Sequence, residues 1–325
     1  MKFVCRMARM AAFALFLSTA SAFADEWPSK PITVLMGFPA GSGVDVVARL
    51  LQPSLESTLG QRLVIDYKSG AGGNLASEAV AKAKPDGSTF LLGTAATHGV
   101  NPALYSKLSF DVEADFTPIS TIVDVPNVLA INPDVIDARN VQDFIAKVKA
   151  APGKYSFAST GNGTGTHLAF AAFNAQAGLS MVHVPYKGGP DATNSVLKGE
   201  TCCVFALLQA MMQHAQAGKV RLLGVTTARR VGVMPDLPTI AEQGLPGYES
   251  FIWFGIFAPR GLDGGIAAKM NAALKAAIED PEINRKLVEL GNTPRYETLE
   301  QFKQTVTRDR ARWADVVKAV GAKVD

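Results

Sequence analysis

A glycine-rich turn set between an apolar, β-branched run and a helical run constrains a chain strongly, and this sequence holds two. The first, Gly37-Phe38-Pro39-Ala40-Gly41-Ser42-Gly43-Val44-Asp45, follows Ile32-Thr33-Val34-Leu35-Met36 and opens Val46-Val47-Ala48-Arg49-Leu50-Leu51. The second, Ser159-Thr160-Gly161-Asn162-Gly163-Thr164-Gly165-Thr166, precedes His167-Leu168-Ala169-Phe170-Ala171-Ala172-Phe173. Backbone without Cβ lets a ligand come close, and the unpaired N–H groups of a helix's first turn favour an anion. Two such turns, far apart in the chain, point to one small anion held from two sides. That is the signature of binding rather than catalysis.

The same alternation of strand-like and helical runs continues to the end of the chain and reads as an α/β protein. Buried strands are expected at 32–36, 63–66, 89–94, 128–131, 182–186, 220–225 and 251–257. Helices are expected at 45–59, 75–83, 141–150, 168–177, 266–279 and 299–320, with a third glycine turn at Ser69-Gly70-Ala71-Gly72-Gly73-Asn74. Segments 128–131 and 252–257 are alike, each an apolar strand that leads soon to a proline, and both suit the role of crossing strands between two lobes. The expected division is a first lobe over 25–125 and 251–325 with a second lobe, 126–250, inserted in it.

The first 24 residues read as a secretory signal. Lys2, Arg6 and Arg9 form a basic start, Met10 to Leu17 is an apolar core too short to span a bilayer, and Ala22-Phe23-Ala24 offers a cleavage site before Asp25. A soluble, exported, monomeric chain in the periplasm is expected. Three of the 32 Lys+Arg lie in this leader, which leaves 29 basic against 29 acidic residues and no general basicity to suggest nucleic acid or an anionic membrane surface. The remaining cysteines, Cys202 and Cys203, are adjacent and sit in an apolar run; without a spacer they read as small buried residues rather than metal ligands.

Taken in order, these residues resemble the Bug family, the periplasmic solute-binding proteins of tripartite tricarboxylate transport systems. The resemblance runs from Trp27-Pro28-Ser29-Lys30-Pro31-Ile32 through Gly37-Phe38-Pro39-Ala40-Gly41, Gly70-Ala71-Gly72-Gly73-Asn74, Pro85-Asp86-Gly87 and Asn101-Pro102-Ala103-Leu104-Tyr105. It continues with Ala158-Ser159-Thr160-Gly161-Asn162-Gly163, His183-Val184-Pro185-Tyr186-Lys187-Gly188, Pro235-Asp236-Leu237-Pro238-Thr239 and Pro246-Gly247-Tyr248-Glu249. Each piece alone is weak; so many in family order are specific.

The resemblance implies a two-lobed Venus-flytrap fold that encloses a small carboxylate and needs no cofactor or metal. In the family, the loop matching Phe38, Pro39, Ala40, Gly41, Ser42, Val44 and Asp45 lines the cleft from the first lobe. The loop matching Ser159, Thr160, Gly161, Asn162, Gly163 and Thr164 holds a carboxylate through backbone amides and hydroxyls. Ala96, Thr97 and His98, at the C-terminal end of a strand, are expected to add a wall, as is His167 beside the second turn. Membrane transporter subunits, or alternatively a membrane sensor, are the implied partners. Many relatives carry an acidic residue where this chain has Ala206, and Leu207-Leu208-Gln209-Ala210-Met211-Met212 replaces a proline-containing segment. An amino-acid ligand thereby loses a partner for its ammonium group, and a plain aliphatic or aromatic carboxylate is expected.

Local readings compete with these at several positions. Asp45 in a first helical turn suits capping as well as ligand contact. Lys187 suits a solvated loop, and Trp253 suits packing in a crossing strand. The histidines lack metal-ligand spacing. A nucleophile elbow would need glycine at position 40, which is alanine, and no phosphate-loop motif occurs. No enzyme is expected.

Overall fold

Each glycine turn leaves the C-terminal end of a parallel strand, and the sheets explain why. The computed structural model describes residues 27–162, 164–321 and 323–324, so the segment expected to be a secretory signal and Gly163 lie outside the described residues. In the first lobe β1 (Ile32–Met36) lies between β2 (Leu63–Tyr67) and β3 (Thr89–Thr94), all parallel. The helix Gly43–Leu59 makes the first crossover. Ser42 accepts the Asp45 N–H at its start and Gly60 ends it in a left-handed conformation. Four of the five β1 residues are buried, which is why the run is apolar at all but Thr33 instead of alternating.

The strand expected at 128–131 begins much earlier. β4 spans Phe116–Ile131 and carries Pro118 and Pro126 within it. Its first part pairs antiparallel with β9 (Phe251–Pro259), which in turn pairs antiparallel with β3. Its last five residues, from Asn127, pair on one side with β7 (Cys203–Leu207), and the last four of them, from Val128, pair on the other with β8 (Arg221–Val225). β7, β5 (Ser156–Ser159) and β6 (Val182–Pro185) complete the second sheet in parallel. One strand therefore belongs to both lobes, and the partner changes between Pro126, opposite Phe251, and Asn127, opposite Leu207. The chain returns through Ser250, whose N–H donates to the Thr226 carbonyl at 2.7 Å, while the Thr226 N–H donates to the Asn127 carbonyl at 2.9 Å.

Each lobe is a sheet with helices on both faces and has its own apolar clusters. The helices Gly43–Leu59 and Gly264–Glu279 cover one face of the first sheet; Asn74–Ala81 and Leu299–Val320 cover the other. In the second lobe Val141–Lys149 and Gly165–Ala177 pack on one face, and Gly189–Leu197 with Leu208–Gln216 on the other. Leu168, just behind the second glycine turn, crosses to Trp313 and Val317 of the C-terminal helix and so ties the lobes on one side. Cys202 and Cys203 are both buried free thiols, 3.3 Å apart at sulfur. Trp253 is wholly buried and donates to Asp309 at 2.6 Å, a packing role.

Candidate functional site

The first-lobe turn is fastened from below by Asp45. Its carboxylate accepts the Gly41 N–H and the Tyr67 hydroxyl, each at 2.7 Å, and lies 3.0 Å from Arg49 Nε. Burial pushes the Asp45 pKa upward, but these partners outweigh burial and hold the carboxyl below its ordinary range. Asp45 thus shapes the loop and is turned away from its open side. A close stack of loops sets the position of Phe38. A Cβ on Gly37 would lie 2.5 Å from Gly73 Cα, and one on Gly73 would lie 2.6 Å from Thr97 Cγ2 and 3.4 Å from the Phe38 ring. The loops that follow β1, β2 and β3 meet at these glycines with no room for a side chain.

Ala96, Thr97 and His98, read as one wall, part company here. The chain coils directly after β3 into a wide turn over Ala96–Val100, which leaves Ala96 on a cavity and sends its neighbours inward. Thr97 Oγ1 donates to the Thr94 carbonyl at 3.0 Å, accepts the Thr94 N–H at 3.0 Å and sits 2.8 Å from His98 Nδ1. His98 is completely enclosed. Its ring stacks on Phe257 at a centroid distance of 3.9 Å and meets Phe116 edge-on, and burial pushes its pKa down to about 3. It is a core ring rather than a wall of the cleft.

In the second lobe, Ser159 lies beneath the turn. Its hydroxyl donates to the Gly161 carbonyl at 3.1 Å and accepts the Gly161 N–H at 3.2 Å, and it approaches His183 Nε2 at 2.6 Å. The Thr160 N–H donates to Thr166 Oγ1 at 3.0 Å, and Thr164 Oγ1 donates to the Gly161 carbonyl at 2.8 Å. Asn162 is exposed at the tip. His167 stacks on His183 with centroids 3.9 Å apart, so it buttresses the turn; burial and the nearby His167 push the His183 pKa down to about 4.

Two cavities open between these loops. One, of about 450 Å³, is lined from the first lobe by Phe38, Gly41, Ser42, Val44 and Ala96. The other, of about 580 Å³, is lined from the second lobe by Thr160, Thr166, Asn127, Ala206 and His214. Leu207 and Ile252 border both, so the cavities adjoin where β7 ends and β9 begins, at the waist. Pro39 and Ala40 are exposed on the first loop. Sequence reasoning missed Gln209, Asn292 and Asn127 as lining residues. For Gln209 a signal existed, because the 207–212 segment departs from the family pattern; Asn292 follows a helix end far along the chain and has none.

With this geometry in place, the relatives of the chain are informative. Residues 47–322 match the model of the tripartite tricarboxylate transporter family receptor. The chain belongs to that family. It is 33% identical to protein BugT of Bordetella pertussis over 97% of this chain and 98% of that one. Among solved structures, R. palustris Rpa4515 with adipate is 34% identical with a TM-score of 0.77, covering 92% of this chain and all of that one. MatC from Rhodopseudomonas palustris with bound malate is 31% identical with a TM-score of 0.72, covering 90% of this chain and all of that one. The family is one of solute-binding receptors, not enzymes, and the two-lobed fold is shared with these relatives.

Beside the waist, Asp124 pairs with Arg295 at 3.0 Å, yet burial pushes its pKa up to about 7 against that guanidinium. Asp124 and His98 therefore respond to acid in opposite ways. His98 holds fewer protons folded than unfolded, so its contribution is complete above about pH 6.5 and is lost as the pH falls, by up to about 1.4 kcal/mol per unit. Asp124 keeps a proton in the folded protein that the unfolded chain releases between about pH 4 and 7, so its contribution grows as the pH falls through that window. Urea unfolding between pH 6.5 and 4.5 should accordingly show a steeper acid loss in Asp124→Asn than in the wild type. Equal slopes would show that Asp124 carries no proton there.

Proposed function

We propose that this chain is an exported, periplasmic receptor that captures a small carboxylate between its lobes and presents it to the membrane subunits of a tripartite tricarboxylate-type transporter. One observation carries the reading: two cavities adjoin at Leu207 and Ile252, one beside each of the two glycine turns. The proposed contacts are Phe38, Gly41, Ser42 and Ala96 from the first lobe, and the 159–164 turn with Thr166 and Ala206 from the second. The carboxylate meets the N–H groups and hydroxyls of the second turn, and hinge closure at the waist brings up the first. Adipate in Rpa4515 and malate in MatC support the ligand class. No described helix is long and apolar enough to cross a membrane, which agrees with a separate membrane partner.

A thermal-shift screen over mono-, di- and tricarboxylates and aromatic acids tests the proposal. Ligand at about a hundred times its Kd stabilises by about 2.7 kcal/mol, which raises the melting temperature of a chain of this size by on the order of 4 °C. No shift with any carboxylate would remove the reading.

A further inference from the structure

The cavity beside the first glycine turn has walls from both lobes. Phe38, Val44 and Phe254 come from the first lobe, Leu207 from the second, and Val125 and Ile252 from the strands that cross the waist. Such walls suit an apolar body and give a polar group no partner. Four described residues on them carry polar side chains: Ser42, Thr94, Gln209 and Asn292. Ser42 and Thr94 already hold backbone, Ser42 accepting the Asp45 N–H and Thr94 Oγ1 the Thr97 N–H. Gln209 and Asn292 differ. Gln209 is exposed and Asn292 half-buried, and neither carboxamide has a hydrogen-bond partner among the described residues.

Their backbones are nevertheless fixed. Gln209 stands in the first turn of the helix Leu208–Gln216, beside the buried Leu208. Asn292 follows the helix Pro281–Glu289; its N–H donates to the Leu287 carbonyl at 3.0 Å, and the next residue, Thr293, pairs with Asp124 of β4. The two segments meet where the lobes face each other: a Cβ on Gly291 would lie 3.4 Å from Gln209 Cβ and 3.7 Å from Gln209 N. Two uncommitted carboxamides, one from each lobe, therefore flank this contact on the cavity wall. Each carries two N–H donors, and hydrogen bonds to an ionised acceptor are the stronger kind, the more so beside apolar walls. A plain apolar tail at the same place would strip both carboxamides of water and return no partner.

Building on the carboxylate receptor proposed above, we infer that Gln209 and Asn292 form a split clamp for a second carboxylate, so that the cleft selects a dicarboxylate with an apolar middle. One carboxylate sits at the second glycine turn. The body passes Leu207 and Ile252, which border both cavities, and the far carboxylate accepts N–H groups from the two carboxamides. Because the carboxamides belong to opposite lobes, the far carboxylate also bridges the lobes that closure draws together.

Isothermal titration of the full chain with three matched pairs decides it: adipate and hexanoate, suberate and octanoate, terephthalate and benzoate. In at least one pair the diacid should bind about tenfold or more tighter than the monoacid. Gln209→Met and Asn292→Leu should each cut that ratio by about fivefold or more, and Gln209→Glu, which sets a charge against the far carboxylate, should bring it to one or below. The ratio is the readout because a merely structural role would weaken both acids of a pair alike. Monoacids binding as tightly as their diacids in the wild type would overturn the clamp while leaving the carboxylate receptor intact, as would binding confined to other acids of the screen above. A diacid advantage that survives all three variants would overturn the role of Gln209 and Asn292. No binding by any acid would remove the receptor reading itself. Should Asn292→Leu fail to fold by circular dichroism, the two substitutions at the exposed Gln209 still decide.

Discussion

Gly37→Val will destabilise the first lobe and abolish the carboxylate-dependent thermal shift. The added Cβ would lie 2.5 Å from Gly73 Cα and 2.7 Å from the Gly73 carbonyl oxygen. Both are backbone atoms, so neither can swing aside as a side chain would. Gly73 cannot retreat either, because it already packs against Thr97 and the Phe38 ring. The strain must be relieved by parting the loops that follow β1 and β2, and that displaces Phe38. Overpacking of this kind costs on the order of 3 kcal/mol. Urea unfolding measures it, and a variant within about 0.5 kcal/mol of the wild type would mean that the two loops separate freely.

Asp45→Ala will weaken ligand binding more than it weakens the fold. Its loss leaves the Gly41 N–H and the Tyr67 hydroxyl without their acceptor. Two charge-assisted hydrogen bonds are worth about 1.5–3 kcal/mol each, while the ion pair to the exposed Arg49 adds little. A stability loss of about 3 kcal/mol is expected, together with at least a tenfold (about 1.4 kcal/mol) loss of carboxylate affinity as the Gly41–Ser42 segment relaxes. The sign of the pH dependence follows from the lowered Asp45 pKa. Its contribution is present above about pH 4 and is lost as the pH falls through the still lower folded value, so wild type and variant should converge in strong acid. Calorimetric titration gives the affinity; an unchanged Kd in Asp45→Ala would show that the loop keeps its shape without the carboxylate.

How far the sequence was legible depended on whether a signal was local. Ile32–Met36 is buried almost throughout, and its unbroken β-branched and apolar run says so directly. The helix Leu299–Val320 begins at a Thr298–Gln301 capping box that is visible in the residues. The first part of β4 leaves little signal because it carries Pro118 and Pro126, residues that seldom sit inside a strand. In the structure the pairing register slips between Pro118 and Ser120, and such irregularities are where a strand tolerates proline. At the site, the glycine turns were legible because their chemistry is contiguous in the chain. The separation of Ala96 from His98 was not, because a wide helical turn leaves no mark in composition. Nor could Asn127, Gln209 and Asn292 be assembled beforehand, since three distant segments meet only through the topology of the sheets.

The sixteen residues of β4 lend their rungs to both sheets. The closure proposed above would be taken up as torsion along this continuous ribbon. The same sharing removes independence: to melt either sheet is to strip the edge on which the other is built. Two cores with one common seam behave as a single cooperative unit, and the receptor's capacity to move and its capacity to hold together reside in the same strand.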